Sequence, residues 1–193
     1  MNQTLSRLFK ECGVEYKVIK IPLKPPDSIE LLVLQNRLKV GHLLIYVSAF
    51  SVSGTLGLGG IVVDNKEEVL LAWCSSRDGI SSPVEASLVA VREALMKSLV
   101  HGWAEIYVIV EDQRLAGKLE NKADFGSVVK IIADDIYCCT QKINFCGFIS
   151  VASRLFDSCN RLASFAIEGE INQEWFPLFD PGFNCDLGWS DVS

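Results

Sequence analysis

The stretch Tyr46–Trp73, YVSAFSVSGTLGLGGIVVDNKEEVLLAW, decides the fold. It sits inside a longer run of β-formers. Leu43–Phe50 is mostly apolar, as a central strand should be. Ser51-Val52-Ser53-Gly54-Thr55 turns the chain, and Leu58–Val63 forms a second strand. Asp64-Asn65-Lys66 is the next turn and Val69–Cys74 the third strand. Gly57, Gly59 and Gly60 are expected to serve a turn and close strand packing. A phosphate-cradling loop would need a helix where this sequence continues as a strand. Val40–Val63 carries no charged residue apart from His42, which raises a membrane span. Its interspersed Ser, Thr and Gly argue for two buried strands instead.

Beyond this stretch the pattern turns helical. Ser81-Ser82-Pro83 opens a helix with Ser as N-cap, Pro in the first turn and Glu85 near the positive dipole end. Leu88, Val91, Leu95 and Leu99 recur at helical spacing, and Gly102 ends the run. Ile106–Val110 is a short apolar strand, expected parallel to the first because a helix precedes it. Leu115–Leu119 and Val128–Cys139 read as helices, Phe145–Val151 as a fifth strand and Ser158–Ile167 as a last helix. The order βββαβαβα predicts an α/β fold: a five-stranded mixed sheet with three or four helices on its faces. Residues 1–41, with their Pro25-Pro26 breaker, read as an N-terminal extension, 42–168 as the domain and 169–193 as an acidic C-terminal tail.

The 193 residues suffice to bury a substantial core, and 49% hydrophobic with 22% charged residues marks a globular chain. From Glu168 onward the sequence holds six acids and no Lys or Arg, leaving 18 bases against 18 acids before them. A protein that grips nucleic acid chiefly through phosphates carries a basic face, and this composition announces none. The seven cysteines form no Cys-x-x-Cys pair, and Met1–Lys20 is polar rather than a signal sequence. They read as buried, reduced thiols of an intracellular protein, with a zinc site as the weaker alternative.

The order of elements and the residues on them resemble the ribonuclease H-like domain of plant proteins of retroelement origin. The family's opening strand ends Val-Asp-Gly, where this chain has Val47-Ser48-Ala49. A Gly-rich second strand follows, here Gly57-Leu58-Gly59-Gly60-Ile61-Val62, then Val63-Asp64. The family helix reads Glu-Ala-Glu-Leu-x-Ala, here Glu85-Ala86-Ser87-Leu88-Val89-Ala90. Its next strand ends Val-x-Val-Glu-x-Asp, here Val108-Ile109-Val110-Glu111-Asp112. The last helix is similar to Arg-x-x-Asn-x-x-Ala-Asp, here Asp157 through Asn160, Ala163 and Ser164. The resemblance spans about Leu43–Pro177, with Trp175 and Pro177 at its end.

The resemblance implies hydrolysis of the RNA strand of RNA–DNA hybrids by four carboxylates holding two Mg²⁺ ions. Mg²⁺ needs anionic oxygens to offset its dehydration. In this chain the first, second and fourth acid positions are Ser48, Ser87 and Ser164, neutral hydroxyls. The third is Asp112, matched by the spacing of Leu115 and Leu119, or Gln113 if the strand end is counted from Glu111. Asp112 is thus the single candidate for a retained catalytic and metal-binding acid. Glu85 cannot replace position 87, because i and i+2 face apart on a helix. Glu111 and Asp112 are expected on opposite faces of their strand.

Plainer roles stand beside these. Asp112 is a natural N-cap for the next helix, and Asn160 is expected to bond locally at a helix start. His42 and His101 have no nucleophile partner in sequence, and Trp103, Trp175 and Trp189 read as packing residues. The expectation is a catalytically degenerate domain that binds nucleic acid or a protein partner, with no membrane association and no metal cofactor. The alternative is an active Mg²⁺-dependent nuclease, and the third is a retroelement relic without function.

Overall fold

In the computed structural model, residues 42–66, 68–79, 82–170 and 172–176 are described. The N-terminal extension, most of the tail, Cys12, Cys185 and Trp189 lie outside them. Among the described residues six strands and four helices follow one another: β1 (Leu43–Val52), β2 (Thr55–Val63), β3 (Val69–Asp78), α1 (Pro83–His101), β4 (Glu105–Val110), α2 (Gln113–Glu120), α3 (Lys130–Thr140), β5 (Phe145–Ser150), α4 (Leu155–Gly169) and β6 (Gln173–Trp175). The sheet order is β5-β4-β1-β2-β3-β6. The pairs β1–β2, β2–β3 and β3–β6 are antiparallel, whereas β4 lies parallel to both β1 and β5.

The expected mixed α/β sheet is present, with a sixth strand added. β6 lies in the segment read from sequence as tail, and it pairs with Ala72–Cys74 of β3. Three residues are too few to show a period-two pattern, so only tertiary pairing reveals this strand. The membrane-length apolar run is the β1–β2 hairpin. Its two-residue turn has Ser53 at φ 51° and Gly54 at φ 87°, the paired positive values of a type I′ turn that match strand twist. No described helix is long and apolar enough to cross a membrane.

Alternation along the strands divides the core. Ile45, Val47, Leu58, Val62, Leu71 and Trp73 join the buried cluster beneath α1. The opposite face takes α4, where Tyr46 meets Phe156 edge-on. Gly57 and Gly59 lie within β2 and not in a turn, correcting that part of the sequence reading. A Cβ on Gly57 would stand 1.9 Å from the Ala163 carbonyl oxygen, and one on Gly59 2.1 Å from that of Cys159. Glycine is needed here because helix backbone lies directly on strand backbone.

The caps follow the sequence. The Ser82 side chain accepts from the Glu85 N–H, and Gly102 closes α1 in the left-handed region at φ 70°. Asp112 caps α2, accepting from the N–H groups of Arg114 at 2.7 Å and Leu115 at 3.3 Å. Cys74, Cys139 and Cys159 are buried as expected, but Cys138 is exposed. It points outward because α3 buries only Ala133, Ile136 and Cys139.

Candidate functional site

The β1–β4 ladder ends at the pair Tyr46–Ile109. Past it the two strands part, and a cleft of about 260 Å³ opens between Val47–Ala49 and Val110–Asp112. The N-terminal half of α1 closes it through Ser87 and Ala90, and α2 through Leu115. Here β1 leads into a hairpin on one side while β4 leads into helices on the other. Such a switch in connectivity at the carboxyl ends of parallel strands is where open α/β sheets form ligand crevices.

Three of the sequence-selected positions, Ser48, Ser87 and Asp112, border this cleft. Ser164 does not. It lies on α4, half-buried, donating to the Asn160 carbonyl oxygen at 3.0 Å. Ser87 similarly donates back to the Pro83 carbonyl oxygen at 3.0 Å. Ser48 is buried, and its hydroxyl donates to the side-chain oxygen Oδ1 of Asn160. Asn160 is therefore not a local helix-start residue: α4 begins at Leu155, and the amide reaches across to the sheet. Glu111 and Asp112 both border the cleft. Strand alternation does not separate them, because β4 has ended at Val110.

Two Mg²⁺ ions need convergent carboxylates whose oxygens bridge the metals. The cleft offers Glu111 and Asp112, and one oxygen of Asp112 is already held by two backbone N–H groups. Ser48 and Ser87 contribute neutral hydroxyls whose protons point to oxygens of the protein itself. This donor set does not fit a two-metal centre. Among the described residues no group of three or more His, Cys, Asp or Glu side chains is placed to hold a metal ion.

A second, larger cleft of about 350 Å³ lies between α1, β3 and β6. Its floor is a chain of charges that sequence reading missed. Buried Glu93 accepts from the Ser75 hydroxyl at 2.8 Å and from Arg77 Nη2 at 2.8 Å. Lys97 stands 4.0 Å from Glu93 and donates to Glu174 on β6. His101 Nε2 lies 3.5 Å from Glu174, and its ring stacks on Trp103. Partial burial pushes the Glu174 pKa up, but the hydrogen bond and charge of Lys97, with His101, outweigh it and hold the carboxyl below its usual range. This network fastens the short β6 to α1. The i,i+4 spacing of Glu93 and Lys97 was its one signal in sequence.

These features define the ribonuclease H-like fold: a mixed sheet flanked by helices, with a cleft between β1 and β4. The chain matches the Reverse transcriptase-like family over residues 47–161, more than half its length, and belongs to that family. Among solved structures it is similar to RNase H1 from Halobacterium salinarum (14% identity, covering 67% of this chain and 99% of that one, TM-score 0.60). It is similar to the N-terminal RNase H domain of a Mycobacterium tuberculosis protein (14% identity, 66% and 94%, TM-score 0.59). A third similar structure is LC11-RNase H1, isolated from compost, in complex with an RNA/DNA hybrid (15% identity, 66% and 98%, TM-score 0.60). No curated protein matches the sequence.

Proposed function

We propose that this chain is a catalytically degenerate ribonuclease H-like domain that keeps the β1–β4 cleft as a recognition site for nucleic acid, RNA–DNA hybrid first among candidates. The carrying observation is the way its hydroxyls are used. Ser48 donates to Asn160 and Ser87 to Pro83, so the two side chains at expected acid positions are built into the protein's own bonding. A relative of the same fold is solved with an RNA/DNA hybrid, which supports the substrate class but not its hydrolysis here. Recognition would rest on shape and hydrogen bonding, because residues before Glu168 carry balanced charge.

Glu111 and Asp112 at the same cleft favour one second reading, a nuclease with a rebuilt metal site. Incubation of labelled RNA–DNA hybrid with Mg²⁺ or Mn²⁺, using the wild type and Asp112→Asn, separates the two. The proposal expects no cleavage, with binding of the intact hybrid that depends only weakly on salt. Cleavage that Asp112→Asn abolishes would establish the nuclease, and absence of both cleavage and binding would remove nucleic acid as the ligand.

A further inference from the structure

Among the described residues, four polar side chains border the β1–β4 cleft: Ser48, Ser87, Glu111 and Asp112. None of the four has a hydrogen-bond donor left to give. The Ser48 proton goes to Asn160 Oδ1 and the Ser87 proton to the Pro83 carbonyl oxygen, so each hydroxyl keeps only its lone pairs. The two carboxylates can only accept. Asp112 spends Oδ1 on the N–H groups of Arg114 and Leu115. Glu111 is exposed, and its main-chain carbonyl, not its carboxylate, takes the Ser150 hydroxyl at 2.9 Å. Among the described residues no Lys, Arg or His borders the cleft.

Such a lining repels phosphate, whose oxygens are acceptors with the same sign of charge as the two carboxylates. It suits a neutral group that brings its own N–H or O–H. An RNA–DNA hybrid has A-form geometry, in which the accessible groove is the wide, shallow minor groove. Two kinds of donor lie there, the ribose 2′-hydroxyl and the guanine 2-amino group. We propose that the cleft selects its ligand by such a donor, received by the Glu111 carboxylate, and turns phosphates away. Asp112 is committed to its helix cap and Ser48 is buried, which leaves Glu111 as the strongest acceptor, since bonds to a carboxylate exceed those to a hydroxyl. This selection rests on the cleft being a nucleic-acid site, and it makes Glu111 the residue that decides which part of the nucleic acid enters.

Fluorescence anisotropy of labelled hybrids with the full chain, in EDTA so that no metal bridges the carboxylates, tests this. Three ligands are compared: the plain hybrid, one with 2′-fluoro in place of the 2′-hydroxyls, and one with inosine in place of guanine. The first substitution removes the hydroxyl donor and the second the amino donor. Wild type is expected to lose about tenfold or more in affinity on at least one of them, which identifies the donor that is read. Glu111→Ala is expected to bind the plain hybrid as weakly as wild type binds that substituted one, and to lose nothing further on substitution. Inorganic phosphate at constant ionic strength is expected not to compete. Circular dichroism of Glu111→Ala separates a lost contact from lost folding. Wild-type binding that neither substitution weakens, an equal loss in Glu111→Ala, or competition by phosphate would each overturn the proposal while leaving the hybrid as ligand. No binding of the plain hybrid would overturn the nucleic-acid reading itself, and this selection with it.

Discussion

The Ser48 hydroxyl on β1 donates to Oδ1 of Asn160 on α4, joining residues 112 positions apart in sequence. The bond ties the edge of the cleft to the helix on the far face of the sheet. Ser48→Ala removes the donor and leaves a part-buried amide oxygen without it. The expected loss is about 1–3 kcal/mol, read as a lower urea midpoint at unchanged slope.

The contact of β2 with α4 allows no methyl group at its closest points. Gly59→Ala sets a Cβ 2.1 Å from the Cys159 carbonyl oxygen and should cost about 1–3 kcal/mol or more. Gly117→Ala is the control. Nothing lies within 4 Å of its Cβ, and alanine on the exposed face of α2 should stabilise by about 0.5–1 kcal/mol. Thermal unfolding of the two variants is expected to shift in opposite directions.

Glu174 titrates below the ordinary carboxylate value of 4.5, because Lys97 and His101 outweigh the effect of partial burial. A depressed pKa adds stability that is present above the unfolded-state value and is lost as pH falls through the folded-state value. Wild-type stability should therefore decline on acidification below about pH 4.5 more steeply than that of Glu174→Gln. Unfolding midpoints measured from neutral pH downward for both proteins check this, and parallel curves would contradict it.

The donor set of the cleft, and not its shape, is the obstacle to metal binding. Ser48→Asp combined with Ser87→Glu would place two further carboxylates beside Asp112. Mg²⁺ is expected to raise the thermal midpoint of this double variant and to leave that of the wild type unchanged.

Thiol reactivity should follow burial. Desolvation pushes the Cys74 pKa to about 11 and the Cys146 pKa to about 12, and raises that of fully buried Cys159 further. Cys138, by contrast, lies exposed on α3. Iodoacetamide should label Cys138 well before these three, as read by peptide mass spectrometry.

The caps, the β-hairpin and the strand–helix alternation were legible because each is encoded within a few residues. Ser82-Pro83, Gly102 and Asp112 act on the N–H and carbonyl groups nearest to them. β6 was not legible: three residues have no periodicity, and the strand is held by Trp73, Lys97 and His101, all distant in sequence. The same reason hid Glu93, an ordinary helix residue until Ser75 and Arg77 close over it.

By itself the sequence determined that Ser48, Ser87, Asp112 and Ser164 stand where they do and the order of the main elements, since residue identity and local spacing are read without coordinates. Tertiary structure alone decided where the hydroxyls point, that Asn160 reaches Ser48, and that Ser164 stays outside the cleft. It also decided that Glu111 and Asp112 border one space. Such relations depend on where β1 and β4 part and on how closely α4 rests on Gly57 and Gly59, which no local pattern carries.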